Sequence, residues 1–420
     1  MLRMERIAHD FVRASSTAAI DPRATAAIKM LRHLHSHVVL CPPRALSISL
    51  SRCLSSLASS APLGIGHVAN GAPQPPVHVP VLLQETVTAF TRNSKSSSAS
   101  FQPLHIVDGT AGFGGHSRAI LQQFPDAKLL CVDRDPEILS IAQANLSDFH
   151  GRVSFRNGSY TDMTTHLKAS GFPDEVDGIL VDLGANSFHF DAARRGFSVL
   201  HDGPLDMRFD QRDATLPTAA DAVNKLSEVQ LTKIFREYGE EKLAKEFAKA
   251  IVRDREEKGK VFSTTKDLRE CIERIANMWR SSKKNKKSKK AGSTHPATRC
   301  FQALRIYVND ELNHVETGVQ QLITHLAPHG RLVTIAFHSL EDRPIKEIFR
   351  KLDKHSREQD SDDDDDEWGY DDFDEEASED PMSKKQFRLI RRKATKATAE
   401  EVTVNSRARS ARLRCLERIL

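Results

Sequence analysis

Five short apolar runs recur along the middle of this chain, each stopping at a turn or an acidic residue: LHIVD from 104, KLLCVD from 128, RVSFRN from 152, VDGILVDLG from 176 and GRLVTIAFHS from 330. Buried strands of this kind, separated by segments of helical periodicity, make a parallel sheet whose crossovers are helices, so the class is α/β. The gap before the last run is filled by something else. From Thr218 to Trp279 the pattern is helical, with Leu231, Ile234, Phe235 and Tyr238, then Leu243 and Phe247, then Leu268, Ile272 and Ile275. Ser227 with Gln230 makes a capping box and Gly239 is placed to end that helix. The sheet is therefore expected to be interrupted by an inserted helical domain whose apolar stripes are core.

The stretch DGTAGFGGHS, 108–117, reads as a glycine-rich turn between the first strand and a helix. Gly109 and Gly114 have the first spacing of a P-loop, but Gly115 stands where the phosphate-gripping lysine belongs and His116 where the Mg-binding hydroxyl belongs, which argues against nucleoside-triphosphate hydrolysis. A dinucleotide fingerprint fits poorly too: Gly112 and Gly114 give its first pair, and position 117 is Ser. S-adenosylmethionine has no phosphate; glycines let the backbone approach its methionine end, and a helix N-terminus favours that end's carboxylate. Asp133, nineteen residues past Gly114, closes the next strand, where doubly wound folds place the acid that holds an adenosine ribose. Asp135 and Pro136 read as cap and first residue of the helix that follows.

Length and composition set the frame. The 420 residues suffice for two domains, or one large domain with insertions, and no apolar run approaches the ~18 residues of a membrane span, so a soluble protein is expected. Six cysteines, at 41, 53, 131, 271, 300 and 415, form no CxxC pair, which points to a reducing compartment and no structural metal. The net charge of +4 hides segregation: residues 358–380 hold fifteen acids and no Lys or Arg, and removing those fifteen leaves +19 on the remainder. Such a remainder suits a polyanion partner, with the acidic run a solvated loop that screens it and KKNKKSKK at 283–290 a lysine loop. No acid occurs between Asp21 and Glu85, where Arg, Ser, Ala and His recur and Met30 opens a presequence-like segment. That is the composition of an organelle transit peptide, mitochondrial in preference to plastid.

VHVPVLLQE, DGTAGFGGHS, DRDP, VDLGANS, RRGFS, DGPLDMR, YGEE, HPATRCFQALRI, FHSLEDR and NSRARSARLR follow one another here in an order and spacing that resemble the RsmH (MraW) family, over about residues 77–350 and 384–420. The resemblance implies a class I (Rossmann-like) S-adenosylmethionine methyltransferase sheet with an inserted helical substrate-recognition domain, acting on the exocyclic N4 of a cytidine in small-subunit ribosomal RNA, free or within the small ribosomal subunit. The corresponding division is 1–76 transit peptide and N-terminus, 77–214 and 297–350 core, 215–296 insert with the lysine loop, 351–383 acidic insert and 384–420 a basic segment of the core. By the same resemblance Gly114, Gly115 and His116 line the cofactor, Asp133 takes its ribose, Tyr160 lies against the adenine and Asp182 lies beside the methyl group. Relatives commonly read Asp-Leu-Gly-x-Ser-Ser-x-Gln, where this chain has Asn186, Ser187 and His189, with His189 able to replace glutamine as a cofactor contact. Asp182, Asn186 and His338 are the catalytic candidates, with Ser339 and Asp342 beside His338. Arg299, Arg305, Arg343, Arg407 and Arg409 are the candidates for RNA contact, and HPATR joins insert to core. Two rivals stand beside this reading: an NAD-dependent oxidoreductase, favoured by the glycine turn and Asp133, and a catalytically idle rRNA-binding assembly factor, favoured by the altered 185–189 segment.

Overall fold

The computed structural model describes residues 80–91, 104–282, 295–353 and 386–419, all within one compact unit, Pro75–Leu420. The segment read as a transit peptide, the lysine loop and the acidic run lie outside the described residues. Strands β1 (His105–Asp108), β2 (Lys128–Asp133), β3 (Val153–Asn157), β4 (Val176–Asp182) and β5 (Leu326–Ala336) are parallel and lie side by side as β3-β2-β1-β4-β5. These are the five apolar runs. Beyond β5 the sheet turns antiparallel: β6 (Phe387–Leu389), β7 (Thr395–Lys396) and β8 (Arg412–Arg418) follow in sequence, and β8 pairs with β5, β6 and β7.

Ahead of β1 lies α1 (Leu83–Phe90), and the first crossovers are α2 (Gly115–Gln123), α3 (Pro136–Asn145) and α4 (Met163–Ser170). Between β4 and β5 come α5 (Ser187–Asp191), α6 (Ala219–Lys225), α7 (Glu228–Glu237), α8 (Ala244–Glu256), α9 (Thr265–Ser282), α10 (Pro296–Asn309) and α11 (Glu311–Thr324), and α12 (Ser339–Leu352) and α13 (Ala399–Val404) follow β5. Alternation along the strands sorts their side chains to two faces. Val107, Leu130, Ile179 and Val181 pack with Met163, Val319 and Phe349 of α4, α11 and α12, whereas Ile106, Leu129, Leu180 and Val333 pack with Phe90, Ile120 and Leu139 of α1, α2 and α3.

The insert has a core of its own. Leu231, Phe235, Phe247, Ile251, Leu268 and Ile272 pack together, and the cluster takes in Phe197 to Phe209 on one side of 215–296 and Phe301 and Leu304 of α10 on the other. Phe235 and Phe247 are fully enclosed, and truncating either to Ala would cost about 3–5 kcal/mol. The capping box forms, Ser227 and Gln230 each satisfying the other's backbone N–H at the start of α7. Gly239, just past that helix, has a packing role: a Cβ there would lie 2.7 Å from the Arg299 carbonyl oxygen of α10 and 2.8 Å from that of Phe235.

Candidate active site

A cavity of about 600 Å³ opens at the carboxyl ends of β1, β2, β4 and β5, where ligands of open α/β sheets bind, with α10 and α11 on its far side. Its floor is the glycine turn. Gly112 (φ 53°) and Gly114 (φ 82°) take left-handed conformations that let the chain reverse from β1 into α2. The Gly112 N–H donates to Asp133 Oδ2 at 2.9 Å and the Asp135 N–H to Asp133 Oδ1 at 2.8 Å, so the acid at the end of β2 is tied to the turn while lone pairs stay available for a ribose. Gly115 lies against Pro80, whose Cγ would be 2.4 Å from an added Cβ. His116 reaches the same N-terminal segment, its Nε2 2.9 Å from the Val81 carbonyl oxygen, with Nδ1 3.7 Å from Asp182 Oδ2. Gly114 departs from expectation. It does not line the cavity, and its α-carbon faces Leu146, so it shapes the turn from behind.

Three carboxyls at the strand ends are crowded by apolar atoms. Asp108, fully buried under the turn, accepts from Ser117 Oγ at 2.6 Å, yet desolvation pushes its pKa up to about 6. Desolvation likewise takes Asp133 up to about 7, against the two backbone hydrogen bonds that favour its charge. Asp182, closing β4, is held well above the ordinary carboxylate range by burial first and by Asp108 and Glu341 next. Its N–H donates to Thr110 Oγ1 at 2.6 Å, and its own Oδ1 has no hydrogen-bond partner. Tyr160 is wedged between Gly109 and Gly318, where an added Cβ would come 3.1 Å and 2.4 Å from its atoms, which fixes the ring in the cavity wall.

The altered segment after β4 turns out to be framework. Asn186 caps α5, its Oδ1 accepting the Phe188 N–H at 3.0 Å, which is the work a serine would do at that place. Asn186 also lines the cavity, so the cap takes one acceptor site of that oxygen while the residue stays at the site. His189 lines the cavity, but its Nε2 is 2.9 Å from Asp135 Oδ2 and its ring stacks on Phe197 at 4.8 Å between centroids. Asp135 also receives Arg195, fully buried, at 2.6 Å. His189 and Arg195 hold Asp135 below the ordinary carboxylate value although burial acts the other way.

After β5, His338 lines the cavity with Nε2 3.0 Å from Glu341 Oε1. Ser339 Oγ donates to Glu240 Oε1 of the insert at 3.3 Å. Asp342 points away from the cavity into an ion pair with β8, accepting from Arg414 at 2.7 and 3.0 Å and from Arg412 at 2.9 Å, so it orients the loop and takes no part in an amine pocket. Among the arginines, Arg305 lines the cavity with its guanidinium clasped by Glu311 through two 2.8 Å hydrogen bonds, which commits its charge to the protein. Arg407 is exposed at the cavity's edge. Arg343 and Arg409 are exposed and lie off the cavity, and Arg299 lines a separate recess of about 420 Å³ beside Trp279.

Sequence reasoning passed over several residues that the structure brings to the site. Pro80 forms the wall over Gly115, and Arg134, donating to the Asn309 carbonyl at 2.9 Å, braces the β2 end against α10. Arg195, Glu311 and Glu341 are the others. Arg195 and Glu341 stand within the quoted RRGFS and FHSLEDR; the signal was the motif, and the missing step was which member points inward.

Glycines that a Cβ would crowd, an acid at the end of β2 with acceptor capacity to spare, and strand-end carboxyls short of positive charge suit an adenosine carrying an amine and a sulfonium, and no lysine at 115 serves a phosphate. The fold and this site define a class I, S-adenosylmethionine-dependent methyltransferase. Comparison with known proteins narrows the class: a sequence model of the MraW methylase family matches residues 76–419, and the chain belongs to that family. It is 37% identical over 344 residues to the ribosomal RNA small subunit methyltransferase H of Shewanella loihica, covering 81% of this chain and 97% of that one. The proteins of the same description from Lawsonia intracellularis (36% identity, 82% of this chain and 100% of that one) and Trichormus variabilis (37%, 81% and 92%) are similarly related.

Proposed function

We propose that this methyltransferase modifies the exocyclic N4 of a cytidine in small-subunit ribosomal RNA, free or in the small ribosomal subunit, within an organelle, mitochondria in preference to plastids. The observation that carries the substrate side is the cavity's composition: Asp182 at the end of β4 and His338 just past the adjacent β5 line one space with Asp133 and Tyr160, and that space reaches an exposed arginine, Arg407. S-adenosylmethionine, when bound, supplies an electrophilic methyl group on sulfur. A cytosine amine is a poor nucleophile because its lone pair is delocalised into the ring, so the walls must align it, which can lower the barrier by about 7–11 kcal/mol. Asp182 as carboxylate accepts an amine hydrogen and offsets the positive charge that grows on nitrogen. Cationic ligand charge beside it favours that ionised form. The base has to be unstacked to reach the cavity.

Mass spectrometry of small-subunit rRNA incubated with the protein and S-adenosylmethionine tests the reading, N4-methylcytidine being the expected product. Binding of the rRNA with no methyl transfer would favour the idle assembly factor. The framework roles of Asn186 and His189 weaken that rival, since the departures at 186 and 189 supply a cap and a partner for Asp135. The address rests on the acid-free, arginine-bearing stretch between Asp21 and Glu85; a fluorescent fusion of residues 1–80 should enter mitochondria, and a diffuse cytosolic signal would sink the proposal.

A further inference from the structure

Glu341 occupies the first turn of α12 with its side chain 2% exposed, yet it is not part of the apolar packing. One oxygen, Oε2, accepts the Phe337 backbone N–H at 2.8 Å, so the loop leaving β5 fixes the carboxylate. The other, Oε1, lies 3.0 Å from His338 Nε2, a close ion-pair contact whose geometry falls short of a hydrogen bond, and 3.8 Å from Arg305 Nη2; both ring nitrogens of His338 are buried. Arg305 is in turn held by both oxygens of Glu311. All four side chains line the main cavity, and they come from three elements, α10, α11 and the β5–α12 junction. A buried carboxylate behind a histidine at a reaction site does two things: it sets the ring's orientation and tautomer, and it stabilises the imidazolium that forms when the ring takes a proton.

We infer that Glu341 is a positioning residue for methyl transfer: it holds His338 as the group that receives the proton released by the substrate amine. The inference rests on the reading of this site as a cytidine N4 methylation centre. In the step, the N4 lone pair forms a bond to the methyl carbon while the carbon–sulfur bond breaks with its electron pair left on sulfur. The nitrogen then carries a surplus proton, which passes to the imidazole, and from there to solvent. Asp182 serves the charge before and during attack, whereas the His338–Glu341 pair serves the proton afterwards. Arg305, expected from the sequence to touch RNA, instead keeps Glu341 ionised from behind, in line with a Glu341 carboxyl held below its ordinary value by His338 first and Arg305 next once burial is offset.

The test is a double-mutant comparison of single-turnover methylation on small-subunit rRNA, with S-adenosylmethionine affinity measured calorimetrically on each full-length protein. Glu341→Gln should lower the rate about 10- to 100-fold, within the range of acid–base contributions, with cofactor affinity within about twofold of wild type. Because Glu341 acts through His338, adding Glu341→Gln to His338→Ala should change the rate by less than about threefold. The acid limb of the rate–pH profile should move to lower pH in Glu341→Gln, since the carboxylate that favours imidazolium is gone. Glu341→Asp, which keeps the charge, should recover part of the rate, and it supplies the comparison if Glu341→Gln does not fold. A wild-type rate and profile in Glu341→Gln, or fully additive effects in the double mutant, would overturn the inference. Wild-type protein that yields no N4-methylcytidine would overturn the underlying reading instead, and this inference with it.

Discussion

At the strand-end side of the cavity, Asp108, Asp133 and Asp182 are pressed by desolvation while no arginine or lysine among the described residues forms an ion pair with them, and His116 approaches Asp182 at the longer distance of 3.7 Å. Around the rest of the site the buried acids are matched: Asp135 by Arg195, Glu311 by Arg305, Glu341 by His338 and Asp342 by Arg412 and Arg414. The two sets respond in opposite senses. The unmatched carboxyls are pushed up, two of them to about 6 and about 7, while Asp135, Glu341 and Asp342 sit below their ordinary values. The same chemical group thus falls into two sets: the matched acids are buried and hold the wall, whereas Asp133 and Asp182 are only part-buried and line the cavity, where positive charge on a ligand can reach them.

Four measurements would sharpen or break this division. The largest effect is expected in the wall. Arg195→Met removes the permanent charge opposite the buried Asp135 and leaves it His189 and the two backbone N–H groups it caps, and denaturant unfolding should show a loss of about 3 kcal/mol, the lower end for half of a buried pair removed. A loss below about 1 kcal/mol would mean that the pair is dispensable. On the ligand side, Asp182→Asn keeps shape and one acceptor but removes the charge, so single-turnover methylation should fall about 10²–10³-fold with S-adenosylmethionine affinity little altered. If affinity collapses instead, Asp182 is a cofactor residue.

Asp133→Ala comes next and should weaken S-adenosylmethionine binding by about 1.5–3 kcal/mol in calorimetry. Unchanged affinity would take Asp133 out of the site. The smallest effect is that of pH on wild-type binding. A ribose hydroxyl donates to the carboxylate, and Asp133 gains its proton as pH falls through about 7, so affinity should be level above 7 and decline below it, by at most about tenfold per unit. The same raised carboxyl binds protons more tightly folded than unfolded, so the stability it lends is present at low pH and lost as pH rises through 7. Depressed acids such as Asp135 act oppositely, their contribution vanishing only as pH falls below the ordinary carboxylate range of about 4. A cofactor affinity that stays flat from pH 8 to pH 5.5 would refute the unmatched half of the comparison.

How much of this could be read from the chain depended on whether a residue's task is local. The five parallel strands, the cap at Asp135 and the capping box at Ser227 and Gln230 are set by neighbours within a few positions, and each appears where the periodicity put it. Strand β8 escaped because its sequence, RLRCLER, alternates charge with apolar residues like a surface segment. It is buried on both faces, and Arg414 is neutralised by Asp342, seventy-two positions earlier. At the site nearness in sequence was not enough, for Arg305 and Glu311 are six positions apart and Asn186 and Phe188 two. Asp133 and Tyr160 were legible from strand ends and motif position, whereas the commitment of Arg305 to Glu311 and the capping by Asn186 depend on orientations that spacing does not carry. Gly114 shows the converse: a motif glycine that looked like lining shapes the turn against Leu146.

The place of β8 bears on how the chain is made. Among the described strands it is the last in sequence but an interior one in space, paired with β5 on one side and β6 on the other, and Arg407 and Ser410 just before it border the cavity. A nascent polypeptide therefore leaves the ribosome with five strands assembled and the β5 edge bare, an exposed edge of the kind that invites pairing with other chains. Neither the sheet nor the pocket can close until residue 418 has emerged, well after the acidic run at 358–380 has been synthesised. Synthesis thus postpones the covering of this edge until β8 has been made, and a truncation ahead of β8 that spares every glycine and aspartate of the site would still leave the β5 edge exposed.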